Sequence, residues 1–125
     1  MDPLPPVVQR YLESYNSLDV DSMIATVTDD VVFENLSNTS PPTRTEGKAQ
    51  FEALARQTVG VFKSRRQTVV DAVVANDRVA LRISFEAVIA VDLPNGWRTG
   101  QLITLTGATF IELRGALIAR LSDLS

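Results

Sequence analysis

Asp123, Tyr11 and Asn35 are the polar residues of this sequence whose types and positions could perform chemistry in an apolar setting. Asp123 follows Ala119 and Leu121 at the spacing of alternate strand residues, so its carboxyl is predicted to point with them. Apolar surroundings disfavour the carboxylate and raise its pKa, which suits proton transfer near neutral pH. Asp123 is therefore the candidate acid–base group. The alternative is a solvated carboxylate close to the chain end.

Tyr11 lies on the apolar face of a predicted helix. At spacings of three and four residues, that face also carries Val8, Leu12 and Tyr15. A buried tyrosine hydroxyl needs a hydrogen-bond partner, which Asp123 or Asn35 could supply. Tyr11 is therefore either a core residue or part of a binding pocket.

Asn35 ends a predicted strand in which Val31 and Phe33 point the same way. Its amide offers two donors and an acceptor, enough to orient a ligand carbonyl or a water, and it is predicted to line the pocket. The alternative is an asparagine that satisfies the backbone of the following loop. A neutral amide can position a ligand, but it cannot act as the base.

The composition excludes several classes of function. The chain contains no histidine and no cysteine, which excludes Ser-His-Asp catalysis, His-ligated metals, thiolate sites and disulfides. It has neither a phosphate-binding glycine loop nor a cluster of metal ligands, so no cofactor and no metal are predicted. The net charge of −3 argues against nucleic acid as a partner.

The length predicts one domain over residues 1–125, because 125 residues are too few for two cores. No apolar run approaches the roughly 18 residues of a membrane span, so no membrane partner is expected. The opening MDPLPP, with an acid and prolines, does not fit a signal peptide. The expected location is cytoplasmic.

The first half of the sequence is predicted to be mostly helical. The first helix follows the prolines of PLPPVV, and Asp19 can cap a short second helix. A polar turn at TDD then leads into the strand VVFEN, and residues 36–47 are predicted to form a loop. A third helix follows, with Phe51 and Leu54 on one face.

After Lys63 the spacing of the apolar residues changes from that of helices to that of strands. Arg65 and Arg66 are interpreted as a solvated pair at the start of the first such strand. Residues 79–89 alternate, with apolar side chains on one face. The opposite face carries Arg82, Ser84 and Glu86. Turns are predicted at N76-D77, P94-N95-G96 and R114-G115.

Helices followed by a meandering sheet predict an α+β fold. We expect a cone in which about three N-terminal helices pack on a strongly curved, mostly antiparallel sheet and enclose an apolar pocket. The residues predicted to line this pocket are Phe33, Phe51, Leu54, Ile83, Phe85, Thr109 and Leu121.

Several spaced motifs resemble the nuclear-transport-factor-2-like superfamily, in particular the SnoaL-like polyketide cyclases and the ketosteroid isomerases. These are V7-V8-Q9-R10-Y11, N16-x-x-D19-x-D21, D29-D30-x-x-x-E34, Gly47 and I83-S84-F85-E86. The hairpin L93-P94-x-G96 and Asp123 look more like limonene-epoxide hydrolases of the same superfamily. The resemblance covers nearly the whole chain. It implies the fold more strongly than the activity, because this fold hosts many functions.

The resemblance also implies roles for single residues. Tyr11 matches the isomerase tyrosine that donates to the developing oxyanion. Asn35 replaces the isomerase general base, which argues against standard isomerisation. Asp123 resembles the acid–base aspartate of the cyclases. A small hydrophobic ligand with a carbonyl or hydroxyl is implied, and the alternative is a non-catalytic binding or dimerisation module. A homodimer through the outer sheet face, which carries Arg82 and Glu86, is also implied.

Overall fold

The computed structural model describes residues 3–37 and 41–125. Three helices pack on one sheet of six strands, and the α+β prediction is confirmed. The helices are α1 Pro6–Asn16, α2 Val20–Ile24 and α3 Lys48–Val59. The strands are β1 Val27–Leu36, β2 Thr43–Glu46, β3 Phe62–Ala75, β4 Arg78–Ile89, β5 Leu102–Arg114 and β6 Leu117–Leu124.

The sheet has the order β2-β1-β6-β5-β4-β3. Neighbouring strands are antiparallel except for β1 and β6, which run parallel. The last strand of the chain therefore lies in the middle of the sheet, between the first strand and β5. This position supports the chain end with hydrogen bonds on both edges, so Asp123 is not on a frayed terminus.

The helices begin where the local sequence favours it. Pro6 occupies the start of α1, where a missing backbone N–H costs nothing. Asp19 caps α2 by accepting a hydrogen bond from the Ser22 backbone N–H, as predicted. The N-terminal helices thus have fixed starting points, and α1 presents buried Val8 and Tyr11 toward the sheet.

The core lies between the helices and one face of the sheet, which we call the inner face. On β4 the inner face carries Val79, Leu81 and Ile83, all buried, and the opposite or outer face carries exposed Arg82 and Glu86. The strict alternation along this strand was predicted from the sequence and is confirmed. It fixes which face of every neighbouring strand points to the helices.

Some predicted boundaries are wrong. Asp29 and Asp30 lie within β1 and not in a turn. Asp29 forms an ion pair with Lys48, and Asp30 forms one with Arg114. The predicted loop 36–47 contains β2, and its residues 38–40 lie outside the described part of the chain. The PNG turn belongs to a longer connection over residues 90–101, since β4 ends at Ile89 and β5 begins at Leu102.

The interpretation of Arg65 as a solvated residue is also wrong. Arg65 is only 4% exposed, whereas its neighbour Arg66 is exposed. Arg65 pairs with Ala87 of β4, which is an inner-face residue, and Arg66 pairs with Glu86 on the outer face. Strand alternation therefore buries the first arginine and leaves the second in solvent.

Candidate active site

Asn35, Asp123 and Thr109 lie side by side across three neighbouring strands. In the parallel register of β1 and β6, Asn35 is opposite Asp123. In the antiparallel register of β6 and β5, Asp123 is opposite Thr109. Paired residues point to the same face of a sheet, and Thr109 pairs onward with buried Leu81 of the inner face. The three polar side chains therefore form one row on the inner face.

Asp123 has the character of a tuned carboxyl group. Its side chain is largely removed from solvent and accepts a hydrogen bond of 2.8 Å from the Thr109 hydroxyl. Desolvation raises the pKa of Asp123 to about 6, and the hydrogen bond from Thr109 partly opposes that rise. At pH 7 roughly nine in ten molecules would carry the ionised form, with the protonated form readily accessible.

Tyr11 extends from α1 into the same region. It is 3% exposed, and its ring centroid lies 6.2 Å from that of Tyr15. Burial raises the pKa of the Tyr11 hydroxyl well above its ordinary value, and the charge of Asp123 raises this pKa further. Because its pKa is raised, the hydroxyl stays protonated at neutral pH. It makes no hydrogen bond to any other described residue, so its donor is available.

Asn35 is half-buried beside Asp123. Its side-chain amide forms no hydrogen bond with residues 3–37 or 41–125, and residues 38–40 of the following loop lie outside the described part of the chain. Its two donors and one acceptor remain available next to the carboxyl.

The residues predicted to line the pocket all lie on the core side of the molecule. Phe33 and Phe51 are buried with ring centroids 5.7 Å apart, and Phe33 is opposite Leu121 in the β1–β6 register. Phe85 and Leu54 are partly buried and pack against the core. The remaining members, Ile83, Thr109 and Leu121, are buried.

Two open depressions occur elsewhere on the described surface. One, of about 410 Å³, lies along α1 and α2 and is lined by hydroxyl and charged side chains such as Ser14, Ser22 and Arg10. The other, of about 180 Å³, lies on the outer face beside Phe110 and Arg120. Neither is lined by Asp123, Asn35 or Tyr11. The pocket around these residues therefore stays a prediction.

Sequence reasoning missed Arg65 as a functional candidate. Its guanidinium Cζ lies 3.6 Å from the centre of the Tyr15 ring, and its Nε donates to the Tyr15 carbonyl at 2.8 Å. The sequence of β3 alone does not show this burial; the register of β3 with β4, which places Arg65 opposite Ala87, puts this arginine on the inner face. An arginine in a run of charged and polar residues is solvated far more often than it is buried, and for that reason Arg65 was predicted to be exposed.

The fold is the ketosteroid isomerase-like α+β fold. A protein with that fold from Catenulispora acidiphila superposes with a TM-score of 0.78 at 16% identity, covering 97% of this chain and 85% of that chain. An LEH-like epoxide hydrolase from M. tuberculosis gives a TM-score of 0.75 at 18% identity, covering 96% and 80%. At these identities the likeness shows the fold alone.

Residues 8–121 match the family model of the SnoaL-like domain, so the chain belongs to that family. A candidate polyketide cyclase from Xanthomonas campestris pv. campestris is 30% identical, with a TM-score of 0.70, and covers 95% of this chain and 87% of that chain. No curated protein sequence matches the chain. The resemblance seen in the sequence motifs is thereby confirmed at the level of the family.

Two further observations concern partners. None of the described helices is long and apolar enough to cross a membrane. Within residues 3–37 and 41–125, no three His, Cys, Asp or Glu side chains are grouped as metal ligands would be.

Proposed function

We propose that the protein is an enzyme of cyclase, isomerase or hydrolase type that acts on a small hydrophobic molecule bearing a carbonyl or hydroxyl group. The observation that supports this most strongly is the state of the Asp123 carboxyl. It is desolvated on the inner face, accepts a hydrogen bond from Thr109 and has a pKa of about 6. The family and the names of its solved relatives support a small-molecule enzyme.

Asp123 would act as both acid and base. Its ionised form accepts a proton from a carbon next to the ligand carbonyl, and its protonated form returns a proton to another position of the same ligand. A carboxyl with a pKa near 6 does both without a large energetic penalty at neutral pH. This sequence of steps uses no cofactor.

Tyr11 and Asn35 would stabilise and orient the ligand. As the proton leaves carbon, negative charge develops on the carbonyl oxygen, and a neutral donor in a dry environment stabilises that charge. The Tyr11 hydroxyl is such a donor, since its raised pKa keeps it protonated. The free amide of Asn35 would fix the ligand beside Asp123, because the two residues are opposite each other in register.

The experiment is a turnover assay with steroid enones, polyketide-like β-ketoesters and terpene epoxides. With a compound that is turned over, Asp123→Asn should lower kcat by roughly 10²- to 10⁴-fold, the usual contribution of a positioned acid–base group. Tyr11→Phe should lower kcat less, because it removes one donor. Glu86→Gln, which changes an exposed carboxyl on the outer face, is the control and should leave turnover unchanged.

The rate should rise with pH through about 6 if ionised Asp123 is the base. Turnover that survives Asp123→Asn would contradict the proposal.

A non-catalytic binding protein for a small apolar ligand is the second candidate. The observation that favours it is Asn35, which occupies the strand position facing Asp123 and cannot take a proton. Asp123 also lacks a second carboxyl partner among the described residues. Thermal stabilisation by a compound that is never turned over would favour this candidate.

We also propose a homodimer through the outer sheet face and a cytoplasmic location. Val73 and Phe110 of that face are 60% and 50% exposed and are separated in register only by Ala80. Exposed apolar side chains of this size support a contact between two copies. A monomeric mass in solution that Phe110→Asp leaves unchanged would contradict the dimer. Fractionation of cells tests the location.

A further inference from the structure

Arg65 is a buried cation that no carboxylate of residues 3–37 and 41–125 neutralises. At 4% exposure it is as buried as the core around it, yet none of the described Asp or Glu side chains forms an ion pair with it. Arginine is almost never fully buried unless it is paired, because desolvation of the charge is costly. Burial of this kind requires a reason.

The protein satisfies only part of the guanidinium. Nε donates to the Tyr15 carbonyl at 2.8 Å, and Nη2 lies 3.5 Å from the sulfur of Met23, a weak acceptor. Burial lowers the pKa of Arg65, and the Tyr15 side chain opposes this by its charge and by a hydrogen bond with the guanidinium. No carboxylate or backbone carbonyl of the described residues accepts a hydrogen bond from Nη1. Nη1 is not completely inaccessible, since the one fully buried, unpaired side-chain oxygen or nitrogen found in the described chain is Thr45 Oγ1. One edge of the guanidinium is therefore left without an anionic partner.

Aromatic rings surround the guanidinium. Its Cζ lies 3.6 Å from the centre of the Tyr15 ring and 5.9 Å from that of Phe62. Phe85 closes the group, with its ring centroid 5.9 Å from Phe62 and 6.5 Å from Tyr15. All three rings are only partly buried, so they leave apolar surface beside the cation for the body of a ligand.

Arg65 and Asp123 both influence Tyr11 and Tyr15 electrostatically. Burial raises the pKa of both hydroxyls; the negative charge of Asp123 adds to this rise, and the positive charge of Arg65 opposes it. The two charged groups form no ion pair with each other. Arg65 Cζ lies over the Tyr15 ring, and the Tyr15 ring centroid lies 6.2 Å from that of Tyr11, so the cation and the two phenols form one group.

We propose that Arg65 binds the carboxylate of the ligand, which makes the ligand an apolar carboxylic acid with its carboxylate at Nη1 of Arg65 and its apolar body on Tyr15 and Phe85. A guanidinium edge matches a carboxylate in shape and charge, whereas a neutral ester or amide cannot replace the missing anion. This deepens the proposed function and rests on it for the reacting end of the ligand beside Asp123. The binding of the acid itself does not depend on turnover.

Arg65 has a structural contact as well, since the Tyr15 carbonyl is at the end of α1, where a cation is favourable. That contact uses Nε alone. It does not account for the Nη1 edge, which has no anionic partner among the described residues, so the two roles are separable by experiment.

The test compares 2-naphthylacetate with its neutral analogue 2-naphthylacetamide by isothermal titration calorimetry at pH 7.5. Wild-type protein should bind the carboxylate about tenfold or more tightly than the amide, as expected for a charge-assisted hydrogen bond. Arg65→Gln should remove this preference while leaving the affinity for the amide within about twofold. Arg66→Gln is the matched control, because it removes the adjacent but exposed arginine and should retain the full preference.

Three results would overturn the proposal: equal affinity of wild type for the two compounds, equal weakening of both compounds by Arg65→Gln, or binding of neither compound. If Arg65→Gln does not fold, the ¹⁵N resonance of Arg65 Nε in wild-type protein decides. It should shift on titration with the carboxylate and not with the amide, and an unchanged resonance would overturn the proposal. Because binding is measured without turnover, failure of this proposal is distinguishable from failure of the enzymatic one.

Discussion

The Thr109 hydroxyl donates a 2.8 Å hydrogen bond to the Asp123 carboxyl from the directly opposite position on β5. This contact holds one carboxyl oxygen and leaves the other for a ligand. It also opposes the effect of burial, since a donor to a carboxylate favours the charged form. Thr109 therefore sets both the orientation and the proton affinity of the proposed acid–base group.

Thr109→Val should raise the pKa of Asp123 further above about 6, by about one unit, because the variant keeps the shape of the side chain and loses the donor. Thr109→Ser keeps the hydroxyl and is the control. The measurement is a titration of the Asp123 carboxyl carbon by NMR, with Asp123→Asn for assignment. A Thr109→Val value equal to that of wild type would show that the hydrogen bond does not tune this group.

Asp123→Asn should stabilise the folded protein at pH 7. The pKa of Asp123 is about 6 in the folded chain and 3.8 at its ordinary value, so the unfolded chain ionises first as pH rises. Stability contributed by the protonated group is complete below about pH 4 and is lost as pH rises through about 6. At pH 7 the loss is on the order of 1–3 kcal/mol, and the isosteric amide avoids it.

Urea denaturation of wild type and Asp123→Asn at several pH values measures this effect. The difference in the free energy of unfolding should grow between about pH 4 and 6 and then level off. Other carboxylates titrate in both proteins, so their contributions cancel in the difference. A difference that is independent of pH would mean that Asp123 is not desolvated.

Much of the fold was predictable from the sequence, because apolar and polar residues alternate along β4 without interruption and Asp19 is a typical N-cap residue at the start of α2. It did not predict the short strand β2, whose four residues are mostly exposed and have no apolar run to identify them. The longer connection after Ile89 was missed for a related reason. The apolar residues that follow continue a strand-like pattern, and the partner strand that would confirm the pairing is not visible in a single sequence.

The row of Asn35, Asp123 and Thr109 depends on register, which no local pattern specifies. Asn35 and Asp123 were predicted to face inward from alternation within their own strands, and Thr109 was predicted as a residue of the pocket wall. Their adjacency follows from the parallel pairing of β1 with β6, strands at opposite ends of the chain. The burial of Arg65 also depends on register and was predicted wrongly, since it becomes visible only after β3 is aligned with β4.

Glu34→Gln should destabilise the protein by about 1 kcal/mol above pH 5. Glu34 lies on the outer face with its side chain 18% exposed, and its carboxylate accepts hydrogen bonds of 2.8 Å from both Ser122 and Arg120. Ser122 and Arg120 hold its pKa below the ordinary value of 4.5, so this stability is present above that value and is lost as pH falls.

The pH dependence of Glu34→Gln is thus opposite in sign to that of Asp123→Asn. Thermal unfolding at several pH values between 7 and 3 checks it, and the gap between wild type and variant should narrow as pH falls below the ordinary pKa of Glu34. Glu46→Gln, whose ion pair with Arg44 is far more exposed, serves as the control and should have a smaller effect. A gap that does not narrow at all as pH falls would contradict the ion pair as its cause.

Gly107→Ala should damage the site through the backbone. A Cβ at Gly107 would collide with the backbone carbonyl of Leu124, the residue after Asp123, so β5 and β6 would have to separate locally. We expect a loss of stability of about 1–3 kcal/mol, as for other overpacked positions, and a displaced Asp123.

Gly60→Ala is the matched control, because its new Cβ meets only an ordinary contact at 3.5 Å and should be neutral or slightly stabilising. Urea denaturation measures the stability, and the Asp123 carboxyl titration reports the site. If Gly107→Ala keeps both the wild-type stability and the wild-type pKa of Asp123, then close approach of β5 to the end of β6 does not position the carboxyl.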